Sequence, residues 1–149
     1  MKHFLWMMLA VALTACGSNT QKEADGLLEQ ANELFNEHRY NQALAAIDSL
    51  RRLYPSAVDT RKKALKLQQN IELKKTQEEL VTVDSLLQAV SHDYQYQQQK
   101  VEKDKRELRA TAEELTMLTR TRMKRDSLKT RWETLGAKIR YIRKKQKEL

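Results

Sequence analysis

The side chain with the most distinctive chemistry is the thiol of Cys16, the only cysteine in 149 residues. A lone thiol can form no disulfide within the chain, so packing alone must hold the fold in an oxidising compartment. What surrounds it narrows the chemistry further. Leu13-Thr14-Ala15 comes directly before it, after a short charged start, Met1-Lys2-His3, and ten apolar residues from Phe4 to Leu13. A helix needs about 20 apolar residues to cross a bilayer, so this run reads as a secretory signal and not as a span. The other reading of Cys16 is a structural cysteine in a core helix. The histidines add little, because His3 belongs to the signal while His38 and His92 have no partner at metal or triad spacing. There is no glycine-rich phosphate loop, and the carboxylates sit mostly among Lys and Arg on helical surfaces. These residues point away from an enzyme and imply no metal or cofactor.

Leu13, Thr14, Ala15 and Cys16 fill all four positions of a pattern (aliphatic, small or hydroxyl-bearing, Ala or Gly, then Cys) that resembles the lipobox of bacterial lipoproteins. The resemblance implies that the Cys16 sulfur receives a diacylglyceryl group through a thioether, that cleavage follows before Cys16, and that the freed amine can be acylated. Each buried methylene contributes about 0.8 kcal/mol, and two acyl chains suffice for stable attachment. The expected address is the bacterial cell envelope, with the membrane as a partner through the lipid. With Gly17 and Ser18 after the cysteine, where this family places Asp for retention, the periplasmic face of the outer membrane is favoured.

The rest of the chain must be positioned by helices. Few aromatics, one Pro and three Gly argue against sheets. The expected fold class is all-α, divided into a signal at 1–15, a lipidated flexible tether at 16–23, a helical hairpin with a covering helix at 24–72, and a coiled-coil arm at 73–149. In the hairpin, Leu27, Ala31, Leu34 and Phe35 fall at helical spacing, and Ala43, Ile47 and Leu50 repeat it after a polar interval. Pro55 ends the second run. From Ala24 to Pro55 the residues resemble one tetratricopeptide repeat. Leu27 stands at the early aromatic position, Ala31 and Ala43 at the small ones, Leu34 and Ile47 at the large ones, Tyr40 at the aromatic and Pro55 at the closing proline. Gln30 and Leu50 depart from the pattern. The resemblance implies a groove, lined by Leu27, Ala31, Leu34 and Tyr40, that docks a peptide or helix of a protein partner. An unrelated hairpin with the same packing is the alternative.

From Ser56 to Leu135 there is no Gly or Pro. Within that run Leu73, Leu80, Leu87, Tyr94, Val101, Leu108 and Leu115 recur every seven residues, with Val83, Val90 and Leu118 between them, which predicts a coiled coil about 70 Å long. Gln97, Asp104 and Thr111 are polar core positions, and a hairpin turn at Ser91 to Gln99 stays open. After Leu118 the phase slips, and Leu128, Trp132, Leu135, Ile139 and Ile142 resume the spacing in another frame. That shift reads as a stammer in one long helix or as the corner of a second helix. The continuous or gently bent helix is favoured, since nothing there supplies a positive backbone torsion.

The net charge of +8 is uneven. Residues 17–99 carry ten Lys/Arg against twelve Asp/Glu, and residues 100–149 carry seventeen against eight. The basic end, Lys138, Arg140, Arg143, Lys144, Lys145 and Lys147, suits an anionic envelope polymer or an anionic leaflet, or else a solvated helix end that complements the macrodipole. Export argues against nucleic acid. The function expected is a membrane-anchored scaffold or spacer that binds a protein partner or itself through the groove and coil, with anionic-polymer binding through the basic helix as the alternative.

Overall fold

Helix stops and starts, more than hydrophobic pattern, decide this architecture. A computed structural model describes the backbone of residues 2–148 and the side chains of residues 19–148. The lipobox Leu13-Thr14-Ala15-Cys16 therefore lies outside the residues whose side chains are described. The fold is all-α: α1 (Lys2–Asn36), α2 (Tyr40–Leu53), α3 (Val58–Arg106) and α4 (Ala112–Lys147), with no strand among the described residues. A short helical hairpin is followed by a long helix.

Two of the three connections are built the same way. After α1, His38 takes a left-handed φ of 59°. Its amide donates to the Phe35 carbonyl at 3.0 Å, and the Arg39 amide donates to the Leu34 carbonyl at 2.9 Å. After α3, Leu108 takes φ 56°, its amide donates to Lys105 at 3.1 Å, and the Arg109 amide donates to Asp104 at 2.7 Å. Both are Schellman closures, which satisfy the last carbonyls of a helix by turning one residue left-handed. Glycine usually occupies that position, because a Cβ there meets the backbone. Here a histidine and a leucine occupy it. The third connection runs through Pro55, which has no amide to continue α2.

α3 restarts at Val58 and passes through two compact units that divide between Glu72 and Leu73. In the first unit, Leu28 and Ala31 of α1, Ala43, Ile47 and Leu50 of α2, and Ala64, Leu67 and Ile71 of α3 form one core. Ala24, Ala31, Ala43 and Ala64 are fully buried. Small side chains at those contacts let the helix axes approach, while Ile47, Leu50 and Ile71 fill the space between them. Each such large side chain contributes about 1.5–3 kcal/mol on burial. Among the described residues of this unit Thr60 is the fully buried polar side chain, and its hydroxyl donates to Asp25 Oδ1 at 2.6 Å.

The expected tether at 16–23 is corrected for its described residues. α1 runs through Asn19 to Glu23 without a break, and Gln21 donates to both Thr60 and Asp25. Those bonds tie the segment to α3, which a free linker would not allow.

The second unit is an antiparallel hairpin of α3 from Leu73 onward and α4. Crossing contacts fix its register: the Lys100 ammonium pairs with Glu114, the Arg125 guanidinium lies 4.2 Å over the Tyr94 ring, and Arg131 donates to Glu79 at 2.5 Å. On α3 the frame Leu73, Thr76, Leu80, Val83, Leu87, Val90, Tyr94, Gln97, Val101, Asp104 is buried or half-buried throughout. On α4 the facing frame is Leu118, Thr121, Arg125, Leu128, Trp132, Leu135, Ile139, Ile142, in which only Trp132 is exposed, at 40 %.

Of the arrangements left open for the arm, the chain has the hairpin and not the favoured continuous or gently bent helix. The turn lies at 107–111, not at Ser91 to Gln99, which is helical, nor at Thr119 to Asp126, which is also helical. Leu108, expected in the coiled-coil core, is 95 % exposed at the corner, and Leu115 is 39 % exposed on the outside of α4. The slipped phase is the frame of a second helix that begins at Ala112. Its start is marked by a reciprocal capping box: the Thr111 amide donates to Glu114 Oε2 at 3.0 Å, and the Glu114 amide donates to Thr111 Oγ1 at 3.2 Å. Thr111 is thus a helix cap and not a core position.

Candidate functional site

The last part of α4 carries its charge on one helix with its apolar side committed. Leu135, Ile139 and Ile142 are buried at the 4-3 spacing of a seam residue, so Lys138, Arg140, Arg143, Lys144, Lys145 and Lys147 fall on the remaining arc. All six are exposed. From Thr134 to Lys147 the sequence contains no carboxylate, with Glu133 before the run and Glu148 after it. Lys144, Lys145 and Lys147 lie in the last turn, where the macrodipole favours positive charge. Tyr141 is 61 % exposed, with the Lys145 ammonium 6.0 Å from its ring centroid. That arrangement presents cations and an aromatic body to solvent, the chemistry of a surface for phosphates or carboxylates on an extended polymer or a leaflet. Because α3 and α4 are antiparallel, this basic end lies at the open end of the hairpin, away from the turn at 107–111.

The opposite end holds a cross-helix ion pair, Lys100 with Glu114. Glu114 accepts from Lys100 and from the Thr111 amide, and these bonds hold its carboxyl down at about 2. Lys100 is correspondingly raised, chiefly by its bond to Glu114. Between the two ends the interior is mixed. Gln97 Oε1 is buried without a hydrogen-bond partner, and Arg125, stacked on Tyr94, donates through Nε and Nη2 to Asp126 Oδ1 at 3.0 and 2.7 Å.

The residues expected to line a docking groove are placed differently. Ala31 is fully buried, and Leu27, Leu34 and Tyr40 pack against the same core cluster. Ala31 is thus part of the interior of the three-helix unit, while Leu27, Leu34 and Tyr40 are half-buried at its edge. The other expected residues divide as well: Leu73, Leu80, Val83, Leu87, Val90, Tyr94 and Val101 share the α4-facing side of α3, while Leu108 and Leu115 do not.

Sequence reasoning missed the polar cluster of the first unit. Asp25 is held below its usual range by the Thr60 hydroxyl first and by Gln21 second, against the opposing effect of burial. Tyr54 is pushed up by burial and by its bond to Glu23. Residues four apart on one helix, Gln21 and Asp25, were a weak signal for the first of these. His38 Nδ1 lies 2.7 Å from the Tyr40 hydroxyl within the α1–α2 connection, and His92 is exposed. Among the described residues no group of three His, Cys, Asp or Glu side chains is arranged to hold a metal ion, and no helix is long and apolar enough to cross a membrane. Compared with family models, curated proteins and solved structures, the chain finds no match in any of the three.

Proposed function

We propose that this chain is a lipid-anchored protein of the bacterial cell envelope, favoured at the periplasmic face of the outer membrane, that acts by binding and spacing and not by catalysis. The anchor would be the acylated Cys16, and the working parts a three-helix unit and a helical arm. The observation that carries the spacing reading is the α3–α4 hairpin. From Leu73 to Arg106 its first helix rises about 50 Å at 1.5 Å per residue, and the seam is occupied by its own second helix. An arm closed on itself keeps its length without needing a second chain, so a protein partner or another copy would meet its outer faces. Mass spectrometry of the native product tests the anchor: the reading expects an amino-terminal peptide that begins at an acylated Cys16, and an intact amino-terminal peptide with a bare thiol overturns it.

A second reading is favoured by the fourteen-residue run without a carboxylate at the end of α4: binding of an anionic envelope polymer or leaflet. Near such a surface each Lys or Arg is worth about 1 kcal/mol, and the attraction fades with salt. The combined variant Arg140→Gln, Arg143→Gln, Lys144→Gln, Lys147→Gln should then lose association with anionic vesicles that the unaltered chain shows at low salt. Association that survives both high salt and the four substitutions would exclude it.

A further inference from the structure

The first unit carries a second cationic feature, separate in sequence from the basic end of α4. Arg51 near the end of α2 and Val58, Arg61, Lys62 and Leu65 on the first turns of α3 line a cleft of about 450 Å³. Its lining has three cations and no carboxylate, and Val58 leaves 56 % of its surface uncovered there. The two guanidiniums are held by neutral acceptors: Arg51 Nη2 donates to Gln68 Oε1 at 2.6 Å, and Arg61 Nη1 donates to the Pro55 carbonyl at 2.8 Å. Arg51 pairs with Asp48 at 4.0 Å, whose carboxylate side chain is 74 % exposed, so solvent screening leaves that pairing little weight. The forks are thus oriented without being neutralised, which suits planar recognition of an oxyanion.

The amides of Val58 and Arg61 already donate to Ser56 and Ala57, and Lys62 and Leu65 lie inside α3. An extended peptide, which relies on main-chain hydrogen bonds, therefore has no row of partners here. We propose that this cleft binds a single-chain amphiphile with a phosphate head, the head held by Arg51, Arg61 and Lys62 and the hydrocarbon laid on Val58 and Leu65. The volume lies within the usual span for small-ligand sites, about 300–1,000 Å³.

The test uses the full chain in neutral-lipid nanodiscs, with labelled Val and Leu methyl groups observed by NMR, and hexyl phosphate as the probe. Saturable shifts at Val58 and Leu65 are expected, with inorganic phosphate binding about ten-fold more weakly for want of the apolar contact. Arg61→Gln with Lys62→Gln should weaken hexyl phosphate by about ten-fold or more, as expected for loss of two charge-assisted contacts. Val58→Thr, which keeps the shape and leaves an exposed position exposed, should weaken it measurably with the charges intact. Equal binding by neutral hexyl glucoside, equal binding by inorganic phosphate, or indifference to both sets of substitutions would overturn the proposal.

Discussion

Replacing Leu108 with glycine should stabilise the chain, although glycine in the middle of a helical protein ordinarily does the reverse. In the structure Leu108 has φ 56° and is 95 % exposed, so its side chain contributes almost no burial while its Cβ opposes the left-handed backbone. Relief of that conflict is worth about 1–2 kcal/mol, and the extra freedom glycine gives the unfolded chain removes about 0.4–1 kcal/mol. The net expectation is a gain of about 0.5–1 kcal/mol, or an upward shift of about 1–4 °C in the melting of a domain this size. Leu108→Ala is the control: it removes the same side chain but keeps the Cβ, and should change stability by less than about 0.5 kcal/mol. Thermal and urea unfolding of the three proteins, read by helical circular dichroism, give the comparison. Were Leu108 a core leucine of one unbroken coiled coil, both substitutions would be costly, by about 2–5 kcal/mol for the lost burial alone, with a further penalty for glycine. Destabilisation by glycine, or no difference between glycine and alanine, would refute the corner at 107–111.

Four further outcomes follow from the packing. Thr111→Ala removes the cap of α4 and should cost about 1 kcal/mol in urea unfolding, with exchange of the amides at 112–115 accelerated first. Glu114 is depressed in the folded state from an ordinary 4.5 to about 2, so the unfolded chain binds its proton more readily. Its contribution should be complete above about pH 5 and decline as pH falls from there toward 2, and Glu114→Gln should flatten that part of a stability-pH profile. Ile47→Ala opens a cavity at a fully buried position and should cost about 2–5 kcal/mol, whereas Ala31→Leu should cost about 1–3 kcal/mol by forcing α1 away from the core. Unfolding midpoints check both.

The helices were legible because their seams are periodic and their breakers few. The small and large positions of the first unit, Ala31, Ala43, Ile47 and Leu50, read directly as an interior once three helices are counted. What misled was the same periodicity carried too far. Leu108 and Leu115 continue the seven-residue spacing of α3 by coincidence, and the corner between them uses no Gly, Pro or Asn. The signal was there in another form, since Thr111-Ala112-Glu113-Glu114 is a capping box, and a helix that starts must follow one that has stopped. Of the positions expected to line a docking groove, Ala31 is interior because the hairpin and its covering helix need a small residue at their contact, while Leu27, Leu34 and Tyr40 stay half-buried. The polar contacts of Gln21 and Asp25 with Thr60 depend on two helices meeting 35 or more residues apart in sequence, and no local pattern specifies that.

The paired frames of α3 and α4 also govern how the arm could change its reach. Excising seven residues from one leg keeps every side chain in phase on that leg, yet it slides the other by a full repeat and sets Tyr94 against something other than Arg125. Only a matched cut, one repeat from each leg at facing heights, shortens the arm by about 10 Å and leaves the remaining layers in place. Such a graded series of lengths, each with its corner and basic end intact, is a ruler for asking in living cells whether the length of this hairpin matters.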